Sequence, residues 1–154
     1  ELLDDIVATH HEFLRREMPP LLDLGRKVRM VHGNHHPELV GIVADAEQLW
    51  AELEPHLDDE EQRVFPALKT ALTTGDASRV DLADIRAQHE DAGVLLERLR
   101  AASAGYTVPA DACGSYQRFY AGLAEIDADT RRHIHKENNV VFPAVPQPDG
   151  VAVQ

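Results

Sequence analysis

Two stretches of twelve residues, 77 positions apart, follow one pattern. His56-Leu-Asp-Asp-Glu60-Glu-Gln-Arg-Val-Phe65-Pro66-Ala67 and His133-Ile-His-Lys-Glu137-Asn-Asn-Val-Val-Phe142-Pro143-Ala144 both read HxxxExxxxFPA. A weaker echo pairs His11-Glu12 with His89-Glu90. His11 stands 45 residues before His56, and His89 stands 44 before His133. This predicts two halves of similar build. Each is a helical hairpin with one His early in its first helix and a His-Glu pair late in its second. An antiparallel hairpin returns the chain to its starting level, so these positions end side by side.

Apolar periodicity and chain breakers place four helices in the 154 residues. The first is expected from Leu2 to Val31, kinked or briefly broken at Pro19 and Pro20. The second runs from Glu38 to Leu72, disturbed by Pro55 and Pro66. The third covers Val80 to Ala102, with Leu82, Ile85, Val94, Leu95 and Leu99 inward. The fourth covers Ala110 to Asn138, with Tyr116, Phe119, Tyr120, Leu123 and Ile126 inward. No strand alternation, Gly-rich phosphate loop, GxSxG elbow or CxxC pair is present. The expected fold is all-α, an up-down-up-down four-helix bundle over residues 1–146. Residues 147–154 are expected to form a flexible C-terminal tail.

HxxxE sets two side chains four residues apart on one helix face. Both can reach one metal ion, or the carboxylate can bridge to a second. Two such pairs and two further histidines give six candidate ligands at one level of the bundle: His11, His56, Glu60, His89, His133 and Glu137. Four imidazoles and two carboxylates suit a carboxylate-bridged di-iron site in a bundle core. Zinc and manganese remain open, because spacing does not select the metal. Six protein ligands leave positions for an oxo bridge, water, O2 or NO. Glu52 and Asp129 stand four residues before His56 and His133. They are candidates to accept hydrogen bonds from ligand imidazoles or to line an ion path.

The other histidines are assigned elsewhere. His32 lies 21 residues after His11, about 32 Å along a helix, beside His35 and His36 at the far end, as loop or capping residues. His10 and His135 are expected on exposed faces. Tyr116 and Tyr120 read as core, and Cys113 as a small hydrophobe near the start of the fourth helix.

Composition narrows the partners. Lys and Arg total 15 against 27 Asp and Glu, a formal charge of −12. Such a chain repels phosphate, which excludes nucleic acid and an anionic membrane surface as partners. No apolar run reaches the roughly 20 residues of a membrane span. Glu1 to Asp5 is acidic and periodic, unlike a signal peptide. A lone cysteine makes a reducing compartment the default.

HxxxEExxxFP, HEDAG at His89–Gly93 and HxxxENNVVFP at His133–Pro143, with HEFLRREMP from His11 and KVRMVHG from Lys27, resemble the hemerythrin-like HHE cation-binding domain. Within that group they resemble the repair-of-iron-centres (RIC) proteins of the ScdA/YtfE type. The resemblance covers residues 1 to about 146. It implies a cytoplasmic non-haem protein with two iron ions, oxo- and carboxylate-bridged, in nitrosative and oxidative stress defence. Repair of damaged iron-sulfur clusters is its implied role, by iron donation and NO reactivity, with iron-sulfur proteins as clients. It implies the same six ligands. The alternatives are an O2- or NO-binding sensor or carrier, and a di-iron redox enzyme that reduces NO or acts as a peroxidase. Oxygen-carrying hemerythrins place an HxxxH pair on the third helix, where this chain has His89-Glu-Asp-Ala-Gly93. RIC proteins usually carry a short cysteine-containing N-terminal domain, which these residues do not include.

Overall fold

A computed structural model describes residues 1–146; the expected tail at 147–154 lies outside the described residues. Four helical rods form the bundle. The first is α1 (Leu2–Ile6), a π-turn (Val7–His11) and α2 (Glu12–His32). The second is α3 (Glu38–Asp59), a π-turn (Glu60–Val64) and α4 (Phe65–Thr74). The third is α5 (Ala83–Ala102). The fourth is α6 (Gly114–Lys136), a π-turn (Glu137–Val141) and a short 3-10 turn (Phe142–Ala144). The described residues contain no strand. Rods pack in cyclic order, α2 on α3, α3 on α5, α5 on α6 and α6 on α2, as sequential antiparallel helices joined by short loops do.

Pro19, Pro20 and Pro55 do not break their helices, whereas the second rod is interrupted just before Pro66, as expected. Pro19 and Pro20 sit inside an uninterrupted α2, and Pro55 inside an uninterrupted α3. Pro19 and Pro20 are exposed, so the carbonyls that lose their donors can turn to water. The interruptions fall instead at the three π-turns. Two of them end just before Phe-Pro. An α-helical Pro66 or Pro143 would clash with the carbonyl four residues back. The wider turn shifts that register, and the Phe65 and Phe142 amides bond to the carbonyls of Glu60 and Glu137, five residues back. The FPA of the repeat is thus a π-turn signal beside each glutamate. The third and fourth rods start later than expected, at Ala83 and Gly114. Val94 is exposed, and Leu96 takes the inward place.

Two apolar cores result. The larger includes Leu14, Leu22, Ile42, Leu49, Leu57, Leu95, Phe119 and Ile126. The smaller gathers Leu3, Ile6, Val64, Phe65, Leu68, Ile85, Val141, Phe142 and Val145. In the larger core α2 and α6 approach closely. A Cβ on Gly25 would lie 2.6 Å from the Phe119 ring, and one on Gly122 would lie 2.5 Å from Leu21. Along every rod the candidate ligands stand between residues of the two cores: Ile6 and Leu14 flank His11, Leu57 and Val64 flank Glu60, Ile85 and Ala92 flank His89, Ile126 and Val141 flank His133 and Glu137.

Candidate metal centre

Between the two cores lies a layer of buried polar side chains. His11, Glu60 and Glu137 have no exposed surface, and His56, His89 and His133 are buried. All six predicted ligands are brought together. They form two groups that share both glutamates: His11, Glu60, His133 and Glu137, and His56, Glu60, His89 and Glu137. Within each group the nearest donor atoms all lie within 4.8 Å of one another. His11 and His133 face each other at 3.1 Å between Nε2 atoms. Glu60 Oε2 is 3.2 Å from His11 Nε2, and its Oε1 is 3.1 Å from His56 Nε2. Glu137 Oε1 is 2.8 Å from His133 Nε2, and its Oε2 is 3.0 Å from His89 Nε2.

His133 Nε2 pairs with Glu137 Oε1 and His11 Nε2, but the other atoms are close without being paired. Both Glu60 oxygens, Glu137 Oε2 and His89 Nε2 are buried and make no well-directed hydrogen bond. They are aimed at common points rather than at each other. A buried polar group left unsatisfied costs about 1–3 kcal/mol, more when charged. A cation at each common point would satisfy the set, and mixed imidazole and carboxylate donors without thiolate suit iron, manganese or zinc. The residues therefore fit metal binding, with Glu60 and Glu137 common to both groups.

Electrostatics agree. Burial by itself would raise the Glu60 carboxyl, but the four surrounding imidazoles hold it well below the ordinary carboxylate range. Burial opposes protonation of His89 and His133, yet Glu137 and Glu60 lift them to about 9 and about 10. The centre thus carries protons that a cation must displace.

Three of the four outer ring nitrogens are held from neighbouring rods, and His133 Nδ1 has no partner. His11 Nδ1 donates to Glu61 Oε1 (2.8 Å), His56 Nδ1 to Gln88 Oε1 (2.6 Å) and His89 Nδ1 to Asn138 Oδ1 (3.0 Å). Each donation leaves the Nε2 lone pair facing the centre. Arg15 bonds both Glu61 (2.6 Å) and Asp58 (2.7 Å). The repeat phenylalanines close the layer: Phe65 stacks on His11 (5.6 Å between centroids) and Phe142 on His89 (6.0 Å).

Glu61, Gln88, Asn138 and both phenylalanine contacts were not anticipated. The repeat carried a signal for the phenylalanines, which stand at the same offset from each shared glutamate.

Two expectations are corrected here. His10 is buried, not exposed. It lies in the π-turn, which crowds one more residue into the turn and turns His10 inward with His11. His10 Nδ1 donates to Asp129 Oδ1 (2.9 Å), and its ring stacks on His133 at 5.5 Å, 2° from parallel. Burial lowers the His10 pKa despite Asp129. Cys113 is exposed, not packed. It is the extended residue before α6, with Sγ 3.1 Å from His32 Nε2.

Asp129 reaches His10 instead of a ligand imidazole. Glu52 is exposed and accepts from Gln48 (2.9 Å). With Gln88, Asp91 and His56 it lines a groove of about 300 Å³. His135 is exposed. His32 and His36 lie at the far end of the bundle, edge-on to buried Tyr116.

The comparisons agree with this geometry. The family model described as "Hemerythrin HHE cation binding domain" matches residues 2–145. A "Probable iron-sulfur cluster repair protein" of Haemophilus influenzae is 35% identical over 145 residues, 94% of this chain and 64% of its own. The "Iron-sulfur cluster repair protein YtfE" of Enterobacter sp. (strain 638) is 34% identical over 143 residues, covering 93% of this chain and 64% of its own. That of Escherichia coli (strain SMS-3-5 / SECEC) is 32% identical over the same shares. This chain therefore spans just under two thirds of the length of these relatives.

Proposed function

The chain belongs to the hemerythrin HHE cation-binding domain family, and on that premise we propose that it carries two iron ions and donates iron to damaged iron-sulfur clusters under nitrosative or oxidative stress. The observation that carries this reading is the pair of four-donor groups sharing Glu60 and Glu137, with buried carboxylate oxygens that no protein donor satisfies. The names of the relatives point to the same task.

His11 and His133 would hold one ion and His56 and His89 the other, with Glu60 and Glu137 available to both. Bound iron supplies Lewis-acid and redox chemistry and the cargo for donation. The protein does the rest. The two apolar cores exclude water above and below the layer, and the outer partners fix the imidazole planes. Six protein donors leave room for a small ligand such as NO or O2. The groove beside His56, flanked by the carboxylates of Glu52 and Asp91, gives a cation an attractive way out. The clients are iron-sulfur proteins. No helix of the described residues is long and apolar enough to cross a membrane. The lone cysteine favours a reducing compartment, and we place the chain in the cytoplasm.

The test uses an enzyme whose [4Fe-4S] cluster has been broken by NO. Iron-loaded chain should restore its cluster absorbance and activity faster than the same amount of free ferrous iron, and Glu60→Ala protein should give no gain. Recovery equal to that with free iron would reject donation. Reversible NO- or O2-dependent spectra without transfer would favour the sensor or carrier.

A further inference from the structure

The repeat makes the centre nearly two-fold symmetric, but the residues behind its imidazoles break that symmetry. Glu61 and Asn138 are equivalent, each following a shared glutamate and each holding the Nδ1 of a histidine on another rod. One is a carboxylate and the other a neutral amide. His10 and Gln88 are also equivalent, each preceding the early histidine of its half. Gln88 offers a neutral amide oxygen to His56. His10 lies flat against His133 and donates its own Nδ1–H to the buried Asp129 carboxylate.

The differences sort by position. His11 Nδ1 is backed by Glu61. His133 Nδ1 has no partner, but its ring lies flat against His10, which bonds the buried Asp129 carboxylate. His56 and His89 are backed only by the amides of Gln88 and Asn138. Arg15 tempers Glu61, but it serves two carboxylates, Glu61 and Asp58, so that cluster keeps a net negative charge. Arg132 approaches Asp129 only to 3.7 Å. The residue equivalent to Asp129 in the other half is Glu52, which faces solvent and Gln48.

We infer that the two metal positions are inequivalent: His11 and His133 hold their ion tightly, whereas His56 and His89 are the pair that gives up its ion first. A carboxylate that accepts from the ring N–H, as Glu61 does from His11, makes the imidazole a stronger donor, and the buried Asp129 charge behind the stacked His10 ring acts on His133 through space. A neutral amide orients the ring with less of that gain. The weaker pair also faces the outside: the groove of about 300 Å³ is lined by His56 and by its partner Gln88. One ion is thus deliverable, and the other keeps the two halves of the bundle joined.

This inference rests on the two-ion reading above, and the experiment separates the two. Chain loaded with ferrous iron is mixed anaerobically with excess chromophoric ferrous chelator, and release is followed in time. The wild type is expected to release two irons per chain in two phases of equal size. Gln88→Glu, a change at an exposed position, puts a carboxylate behind His56 and should slow only the fast phase, about tenfold. Glu61→Gln should speed only the slow phase by a similar factor. Helical content by circular dichroism confirms that each variant is folded. Fewer than two irons on the wild type would overturn the two-ion reading, and this inference with it. Two irons leaving in a single phase would overturn the inequivalence alone. So would Gln88→Glu acting on the slow phase, or leaving both phases unchanged.

Discussion

Both ends of the bundle are rich in histidine, and they differ in everything else. At one end His10, His11, His56, His89 and His133 are buried with Glu60, Glu137 and Asp129. At the other, His32 meets an exposed thiol and His36 an exposed carboxylate, Asp111, at 3.0 Å. The near end has more buried donors than partners, and its unpaired atoms converge. The far end has pairs that water can replace. Convergence under burial singles out the candidate metal centre; the number of histidines does not.

Glu60→Ala should break this contrast hardest. It removes a donor from both groups at once, so both ions should be lost, as read by metal analysis. Stripping the wild type with a chelator comes next. Metal at a thousandfold excess over its Kd stabilises a fold by about 4 kcal/mol, so the melting temperature should fall by on the order of 10 °C. The stripped protein should also depend on pH. Protonation of His89 and His133, lifted above the ordinary 6.5 to about 9 and about 10, stabilises the metal-free fold fully below about pH 6.5. That contribution should be lost as pH rises through 9 to 10, which melting curves of stripped protein across that range would show.

Gly25→Ala sharpens the comparison from the other side. Its Cβ would press into the Phe119 ring, costing about 1–3 kcal/mol, measurable by urea unfolding. The metal content should not change. The smallest effects belong to the far end. Cys113→Ser should leave metal content unaltered and stability within about 0.5 kcal/mol. His36 is held above its ordinary pKa chiefly by its hydrogen bond to Asp111. His36→Ala should therefore cost a little stability at pH 6 and below and nothing once pH exceeds the folded pKa, as thermal melts at both pH values would register.

The bundle and its six central donors were legible because the repeat writes them twice at helical spacing. Matched positions in two antiparallel hairpins must meet. Less legible was what local geometry decides. The π-turns follow from Pro66 and Pro143, but their effect on His10 depends on a third π-turn, at Val7–His11, that no proline announces. Periodicity therefore assigned His10 to the wrong face. The partners Glu61, Gln88 and Asn138 reach across to other rods, and contacts between rods leave no mark in the spacing of one helix. Cys113 resembles a core residue by type alone; its place before the first turn of α6 exposes it.

The most direct test of the central claim is the iron content and ultraviolet-visible spectrum of purified protein, wild type beside Glu60→Ala. The account predicts about two irons per chain with charge-transfer absorption toward the blue edge of the visible range, both lost in the variant. A wild type without iron, or a metal content that Glu60→Ala leaves unchanged, would contradict it.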